Sequence, residues 1–262
     1  MGTARRCDMK RLAYAAVVLA IALAVSVPAS ALTAREIVQK SVDRAKGKDE
    51  TSKMTMTIIS PNGRKRVRVL TAWVKDTPDG AKTLLRFTEP ADIEGTGFLS
   101  IEHKGRPDDQ WLYLPAMGKS RRIASSEKSK SFLGTDFTYE DLGDWEIDDY
   151  EHRLLREEKL DGADCWVIES TSKGKGSYSK LITWIRKDNY VGVKIEFYDA
   201  DGELLKVLTT GDIVQIDGIW TVKKLVMENV QKGSKTILEL TDVKYNQGLK
   251  DDLFTITNLE RW

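Results

Sequence analysis

The residues able to do chemistry are few, and their spacing is uninformative. The chain has two histidines, His103 and His152, and two cysteines, Cys7 and Cys165. No C-x-x-C, H-x-x-x-H or H-E-x-x-H pattern is present, so the ligand spacing of a structural or catalytic zinc site is missing. Asp144, Glu146 and Asp148 copy the start of an EF-hand loop. The sixth position, however, is Asp149 in place of glycine and the twelfth is Leu155 in place of glutamate. A solvated acidic loop is the default reading of this stretch, and an irregular calcium site the alternative. No G-x-S-x-G elbow occurs. Ser131 or Thr135 could act as a nucleophile with His103 or His152 as base, giving an exported lipid acyl hydrolase, but nothing in the spacing brings them together. The adjacent acids Glu140 and Asp141 are the residue type of a paired-carboxylate site, and one such pair is too common to define it. Gly95 and Gly97 precede a strand pattern, not a helix, so a bulge or strand entry fits better than a phosphate loop. Lys119, Arg121, Arg122, Lys128 and Lys130 form a basic run. It reads either as an exposed strand and loop balanced by nearby acids, or as a patch that meets anionic headgroups or an acidic partner.

The elements that must position these residues are mostly strands. Residues 1–31 read as a cleavable signal peptide. Arg5, Arg6, Lys10 and Arg11 precede the apolar run Leu12 to Val27, and Ala29-Ser30-Ala31 is a small-residue cleavage pattern. The mature domain would then be residues 32–262, exported to the periplasm. Its only cysteine is Cys165, so no internal disulfide can form; this thiol, in the strand-like run CWVIES, reads as buried and inert. A formal net charge of +1 over the whole chain argues against nucleic acid as a partner. Thr33 and Glu36 form a capping box for a helix whose apolar stripe is Ile37, Val38, Val42 and Ala45, ending near Gly47. From Thr51 onward, runs such as TSKMTMTIIS, RKRVRVLTAWVK and WTVKKLVMENV alternate with short turns at PNG, TPDG, DG and QKG. This predicts a single mainly β domain, an antiparallel meander of about ten or eleven strands without βαβ units. Several strands are apolar on both faces, so the sheet must curl on itself or hold something.

One connection is unlike the others. SFLGTDFTYEDL, from Ser131 to Leu142, lies in a loop of about 25 residues, longer than ordinary connections. It supplies Phe132, Leu133, Phe137 and Tyr139, followed by Trp145. These aromatics either plug the core or cover an opening.

With its signal, single N-terminal helix, long meander and the stretches QWLYLPAMGKSRRI and SFLGTDFTYEDL, the chain resembles the outer-membrane lipoprotein-sorting proteins, the LolA-like group. The resemblance implies an incomplete, strongly curved β-barrel closed by the N-terminal helix and a loop lid. It implies a non-enzymatic periplasmic carrier of lipid or lipoprotein acyl chains, without a cofactor, working beside an inner-membrane transporter and monomeric in solution. A regulatory module that senses lipoproteins is a further alternative. Extracting an acyl chain of ~16 carbons into water costs on the order of 12 kcal/mol, at about 0.8 kcal/mol per methylene, so a carrier must offer comparable apolar surface. Met54, Met56, Trp73, Phe87, Trp184, Phe197 and Trp220 are the candidates to line the cavity. Phe132, Leu133, Phe137 and Tyr139 are the candidate lid. The loop's acids would pair with Arg121 and Arg122, the candidate headgroup or partner contacts.

Overall fold

The computed structural model describes residues 32–261, Asp144 excepted; the expected signal peptide lies outside the described residues. The capping box is present: the Glu36 N–H donates to Thr33 Oγ1 at 3.2 Å and the Thr33 N–H to Glu36 Oε2 at 2.7 Å. Helix α1 spans Ala34–Val42 and stops at Asp43, before the expected Gly47.

Thirteen antiparallel strands follow in one sheet. They are β1 Asp49–Ile59, β2 Lys65–Lys75, β3 Lys82–Glu89, β4 Gly97–Ile101, β5 Asp109–Leu114, β6 Lys119–Arg122 and β7 Tyr150–Leu160. Then come β8 Ala163–Ser172, β9 Lys180–Arg186, β10 Gly192–Tyr198, β11 Leu204–Ile216, β12 Ile219–Asn229 and β13 Ser234–Tyr245. The count exceeds the expected ten or eleven because the four-residue β6 and the heavily charged β7 both join the ladder. The order is β6-β5-β4-β3-β2-β1-β13-β12-β11-β10-β9-β8-β7. Every neighbouring pair is sequential except β1 and β13, which join at the middle. The sheet is open at β6 and β7. These edges carry the usual protection against edge-to-edge pairing: β6 is short and reads KSRR, while β7 is studded with charges and broken by a bulge at Leu154–Arg156.

Both faces of the sheet are used. The inner face carries Met56, Leu70, Phe87, Phe98, Leu112, Leu181, Phe197, Met227 and Leu238. On the outer face, Leu84 and Leu99 are covered by the C-terminal segment, including Phe254 and Leu259 of a short helix α2, Ile256–Leu259. The buried Arg86 holds that segment, donating to the Leu259 carbonyl at 2.8 Å and the Asn258 carbonyl at 2.9 Å. A second outer cluster packs Cys165, Val167 and Trp184. Lys194 stands 4.3 Å and Arg156 5.8 Å from the Trp184 ring, roofing it with charged side chains. Cys165 is buried and free, and burial pushes its thiol pKa up. The two-sided apolar pattern thus has separate outer covers and does not by itself mark a cavity.

At Gly97 the helix α2 packs directly against the sheet. A Cβ there would lie 2.6 Å from Leu259 Cδ1, in a site where Leu259 is fully buried. Gly97→Ala should therefore destabilise the fold by about 1–3 kcal/mol through overpacking. In denaturant unfolding the double variant with Leu259→Ala should show a loss smaller than the sum of the two single losses.

Candidate functional site

Strands β6 and β7 are consecutive in the chain but stand at opposite edges of the sheet. The segment between them, residues 123–149, must therefore cross the open inner side, and its aromatics face inward. Phe132 is 1 % exposed. Its ring lies 5.2 Å from Phe98 and 5.6 Å from Tyr139, edge to face, and 6.3 Å from Phe87. Phe137 and Tyr139 are buried in the same core. The turn that places them is folded on itself. Ser131 Oγ donates to the Thr135 carbonyl at 2.6 Å, and Thr135 Oγ1 to the Phe132 carbonyl at 2.8 Å. Leu133 and Gly134 both adopt positive φ, 50° and 78°.

Polar side chains fix this turn to strands on both halves of the sheet. Arg68 of β2 donates to the Leu133 carbonyl at 2.8 Å, and Gln110 of β5 to the Tyr139 carbonyl at 2.9 Å. Ser234 and Thr236 of β13 donate to the Asp136 carboxylate, Thr236 at 2.7 Å. Asp141 pairs with Lys206 of β11, their side chains 4 % and 1 % exposed, and accepts from Tyr178 Oη at 2.8 Å. Lys206 also stands 5.0 Å from the rings of Tyr178 and Phe197. Burial lowers the Lys206 pKa from its ordinary value, and Asp141 pulls it back up. Glu140 accepts from the Ser177 backbone N–H at 2.9 Å and from its hydroxyl.

The expected pairing of these acids with Arg121 and Arg122 does not occur. Arg121 binds Glu127 at 2.5 Å, and Arg122 binds Asp109. The arginines stand on an exposed edge strand, whereas the turn directs its acids inward. Lys130 and Lys128 are likewise compensated, by Glu127 at 3.1 Å and Asp108 at 3.8 Å. Hydrogen bonds from Lys130 and Arg121 hold Glu127 at a pKa of about 2. Burial would raise Asp109, yet the bonds from Arg122, Arg106 and His103 outweigh it and bring it to about 2 as well.

Beside the filled core lies a hollow. A cavity of about 270 Å³ sits on the inner face of β8–β12. Its walls are Leu181, Ile185, Ile195, Phe197, Leu208, Leu225 and Met227, and its roof is Val38 and Val42 of α1 with Trp145, Ile147 and Tyr150. Trp145 stacks on Tyr150 at 5.8 Å and on Tyr178 at 5.9 Å. Arg35 of α1 pairs with Asp148 at 2.6 Å, tying the two parts of the roof together. The polar part of the wall is small. Ser170 Oγ lies 2.8 Å from His152 Nδ1, and His152 Nε2 lies 3.0 Å from the Ile147 carbonyl. A carbonyl only accepts, so Nε2 carries the proton and Nδ1 accepts from the Ser170 hydroxyl. A wider, more polar groove of about 910 Å³ opens past the end of α1, between Arg44, Glu50, Ile219, Trp220 and Tyr245.

Of the residues expected to line the cavity or form its lid, Phe197 and Phe137 line it. Met54, Met56, Phe87, Phe132, Leu133 and Tyr139 lie in or against the same inner core. Trp73 and Trp184 stand on the outer face, and Trp220 at the wide groove. The nucleophile–base pairs considered are not brought together: Ser131 and Thr135 bond within their own turn, and His103 sits with Asp79, Arg106 and Asp109. In the acidic stretch, Asp148 pairs with Arg35 and Asp149 with Lys175 at 2.7 Å. Sequence reasoning missed Lys206 and the Ser170–His152 pair. A signal existed for Lys206, which is in phase with the inward Leu208 on β11.

A curved open sheet, an inner segment crossing it and an apolar hollow under the N-terminal helix define an open half-barrel. A family model described as uncharacterized protein matches residues 79–261. No curated protein matches. Among solved structures, a protein described as an outer-membrane lipoprotein-sorting domain from Vibrio parahaemolyticus is 36 % identical with a TM-score of 0.83, over 87 % of this chain and 98 % of that one. A DUF1329 family protein from Desulfovibrio piger is 32 % identical with a TM-score of 0.82, over 86 % and 97 %. A LolA superfamily protein from Nitrosomonas europaea, 24 % identical with a TM-score of 0.68 over 86 % and 98 %, shares the fold. The chain belongs to the same family as the outer-membrane lipoprotein-sorting domain and the DUF1329 protein.

Two outcomes follow for the site. Asp141→Asn, or Lys206→Met alone, leaves one charged partner buried without its counterion and should cost about 3–5 kcal/mol in denaturant unfolding. The double variant Asp141→Leu/Lys206→Met should recover most of that loss. Burial lowers the His152 pKa below 6.5, against the opposing bond to Ile147. The unfolded chain therefore takes up the proton first, and stability must fall as pH drops below about 6.5. His152→Gln should flatten the change in thermal midpoint between about pH 7.5 and about pH 5.5.

Proposed function

We propose that this protein is a periplasmic carrier, exported by cleavage after residue 31, that takes lipid or lipoprotein acyl chains into the cavity beneath α1 and moves them toward the outer membrane. An inner-membrane transporter would load it, the chain itself remaining monomeric and non-catalytic. The observation that carries this reading is the hollow itself: a partly open, mainly apolar space between the sheet and α1, in a molecule whose other interior half is filled. At about 270 Å³ it falls just below the ~300–1,000 Å³ of typical small-ligand pockets, so it accepts part of an acyl chain. Seating the remainder would require α1 or the Trp145–Tyr150 roof to move outward. The α1 roof is suited to that, being tied by the exposed Arg35–Asp148 pair.

Mass spectrometry of organic extracts of the purified protein, with vesicle-to-vesicle transfer of a labelled lipid, tests the reading. A co-purified lipid and measurable transfer are expected. Leu208→Asp and Leu225→Asp place a carboxylate on the cavity wall, and each should lower bound lipid by more than about tenfold while the protein stays folded. Lipid-free wild-type protein that also transfers nothing would remove the carrier reading. The Ser170–His152 pair favours a second reading, an acyl hydrolase. In that case fatty acid release from phospholipid would be seen, and Ser170→Ala would abolish it.

A further inference from the structure

Four of the five cations in the basic run at residues 119–130 are paired with carboxylates, but a different set of cations is not. The turn between β1 and β2 and the start of β2 read Arg64, Lys65, Arg66, with Arg68 two residues on. Arg64, Lys65 and Arg66 are exposed, and among the described residues none has a carboxylate within ion-pair distance; nor has Lys232 in the β12–β13 turn. Because β1 pairs with both β2 and β13, these two turns are neighbours on one rim of the sheet. Ile59 faces Lys65 on one side and Lys235 on the other. Two nearby acids are engaged elsewhere: Glu228 binds Lys235 at 3.0 Å, and Asp136 is held by Ser234 and Thr236. The patch stops at the acidic β10–β11 turn, where Asp199 accepts from Gln231 at 2.7 Å.

The same rim exposes apolar side chains. Val67 is 51 % and Val230 42 % exposed, two of the few large apolar residues left in solvent. Cations set beside exposed aliphatic groups match a bilayer interface, where headgroups meet the first methylenes. The wide groove lies at the opposite ends of these strands, lined by Val74, Ile219 and Tyr245, so a molecule docked by this rim keeps the groove free.

We propose that the adjoining β1–β2 and β12–β13 turns, through Arg64, Lys65, Arg66, Lys232, Val67 and Val230, form a peripheral docking surface for a bilayer containing anionic phospholipid. The surface is independent of the cargo cavity: it needs no lipid bound inside, and a protein that carries nothing could still dock.

Co-sedimentation with phosphatidylcholine vesicles, with and without phosphatidylglycerol, tests this. Wild-type protein should bind only the phosphatidylglycerol-containing vesicles at about 0.1 M salt and release at about 1 M, where the screening length falls from ~10 Å to ~3 Å. Replacing Arg64, Lys65, Arg66 and Lys232 by Gln should weaken binding by at least about a hundredfold. Arg68 is kept, because it holds the Leu133 carbonyl. Val67→Ser should weaken binding several-fold without changing its salt dependence. The matched control, Lys119, Arg121, Arg122 and Lys130 all to Gln, removes the same charge from mostly paired positions and should leave binding within a few-fold of wild type. The proposal is overturned if wild-type protein fails to bind phosphatidylglycerol vesicles or binds phosphatidylcholine equally. It is also overturned if the two quadruple variants lose binding alike, or if soluble polyglutamate competes as well as the vesicles do. Circular dichroism of each variant separates lost docking from lost folding.

Discussion

A single topological constraint organises this molecule. The first and last strands pair at the centre of the sheet, which pushes the two strands that are consecutive at mid-chain out to its opposite edges. The segment that connects them has no route except across the open inner side. Crossing an apolar surface requires apolar side chains, and crossing with a polar backbone requires partners for its carbonyls and amides. Phe132, Phe137 and Tyr139 meet the first demand; Arg68, Gln110, Thr236 and the Asp141–Lys206 pair meet the second.

The consequence is an asymmetric interior. On the side of β2–β5 the crossing segment fills the space, its rings interleaved with Phe87 and Phe98. On the side of β8–β12 it contributes a roof in place of a plug, and the space beneath Trp145 and α1 stays hollow. The segment is therefore part core and part ceiling. Its two roles divide near Asp141, which is both the partner of Lys206 and a lining residue of the hollow. Desolvation offsets the attraction within such a buried pair, so its contribution here is geometric: it ties the crossing segment to β11.

The charges follow the same logic. On the edge strand β6, Arg121 and Arg122 sit beside carboxylates supplied by the loop that follows and by the neighbouring strand β5, and their fields cancel locally. At the β1–β2 turn the chain supplies three consecutive cations, and no acid in the adjoining turn reaches them. Composition near neutrality thus conceals a surface that is unevenly charged.

Alternation and turn chemistry made the strands legible: each run bounded by PNG, TPDG, DG or QKG became a strand, and Thr33 with Glu36 marked the start of α1. The odd density of aromatics between Ser131 and Trp145 likewise showed that this loop does more than connect. These features are local, set by the period of the backbone and by a few capping and turn residues. What remained hidden is non-local. Trp73 and Trp184 carry the same apolar signal as Phe197, yet they face outward, because nothing in a strand's own sequence says which of its two faces will be inside once the sheet curls. The partners of the loop's acids were equally hidden. Asp141 finds Lys206 65 residues away, and Arg122 finds Asp109 across a strand pair. Only strand order and register, fixed when β1 pairs with β13, decide which charges meet and where a hollow is left.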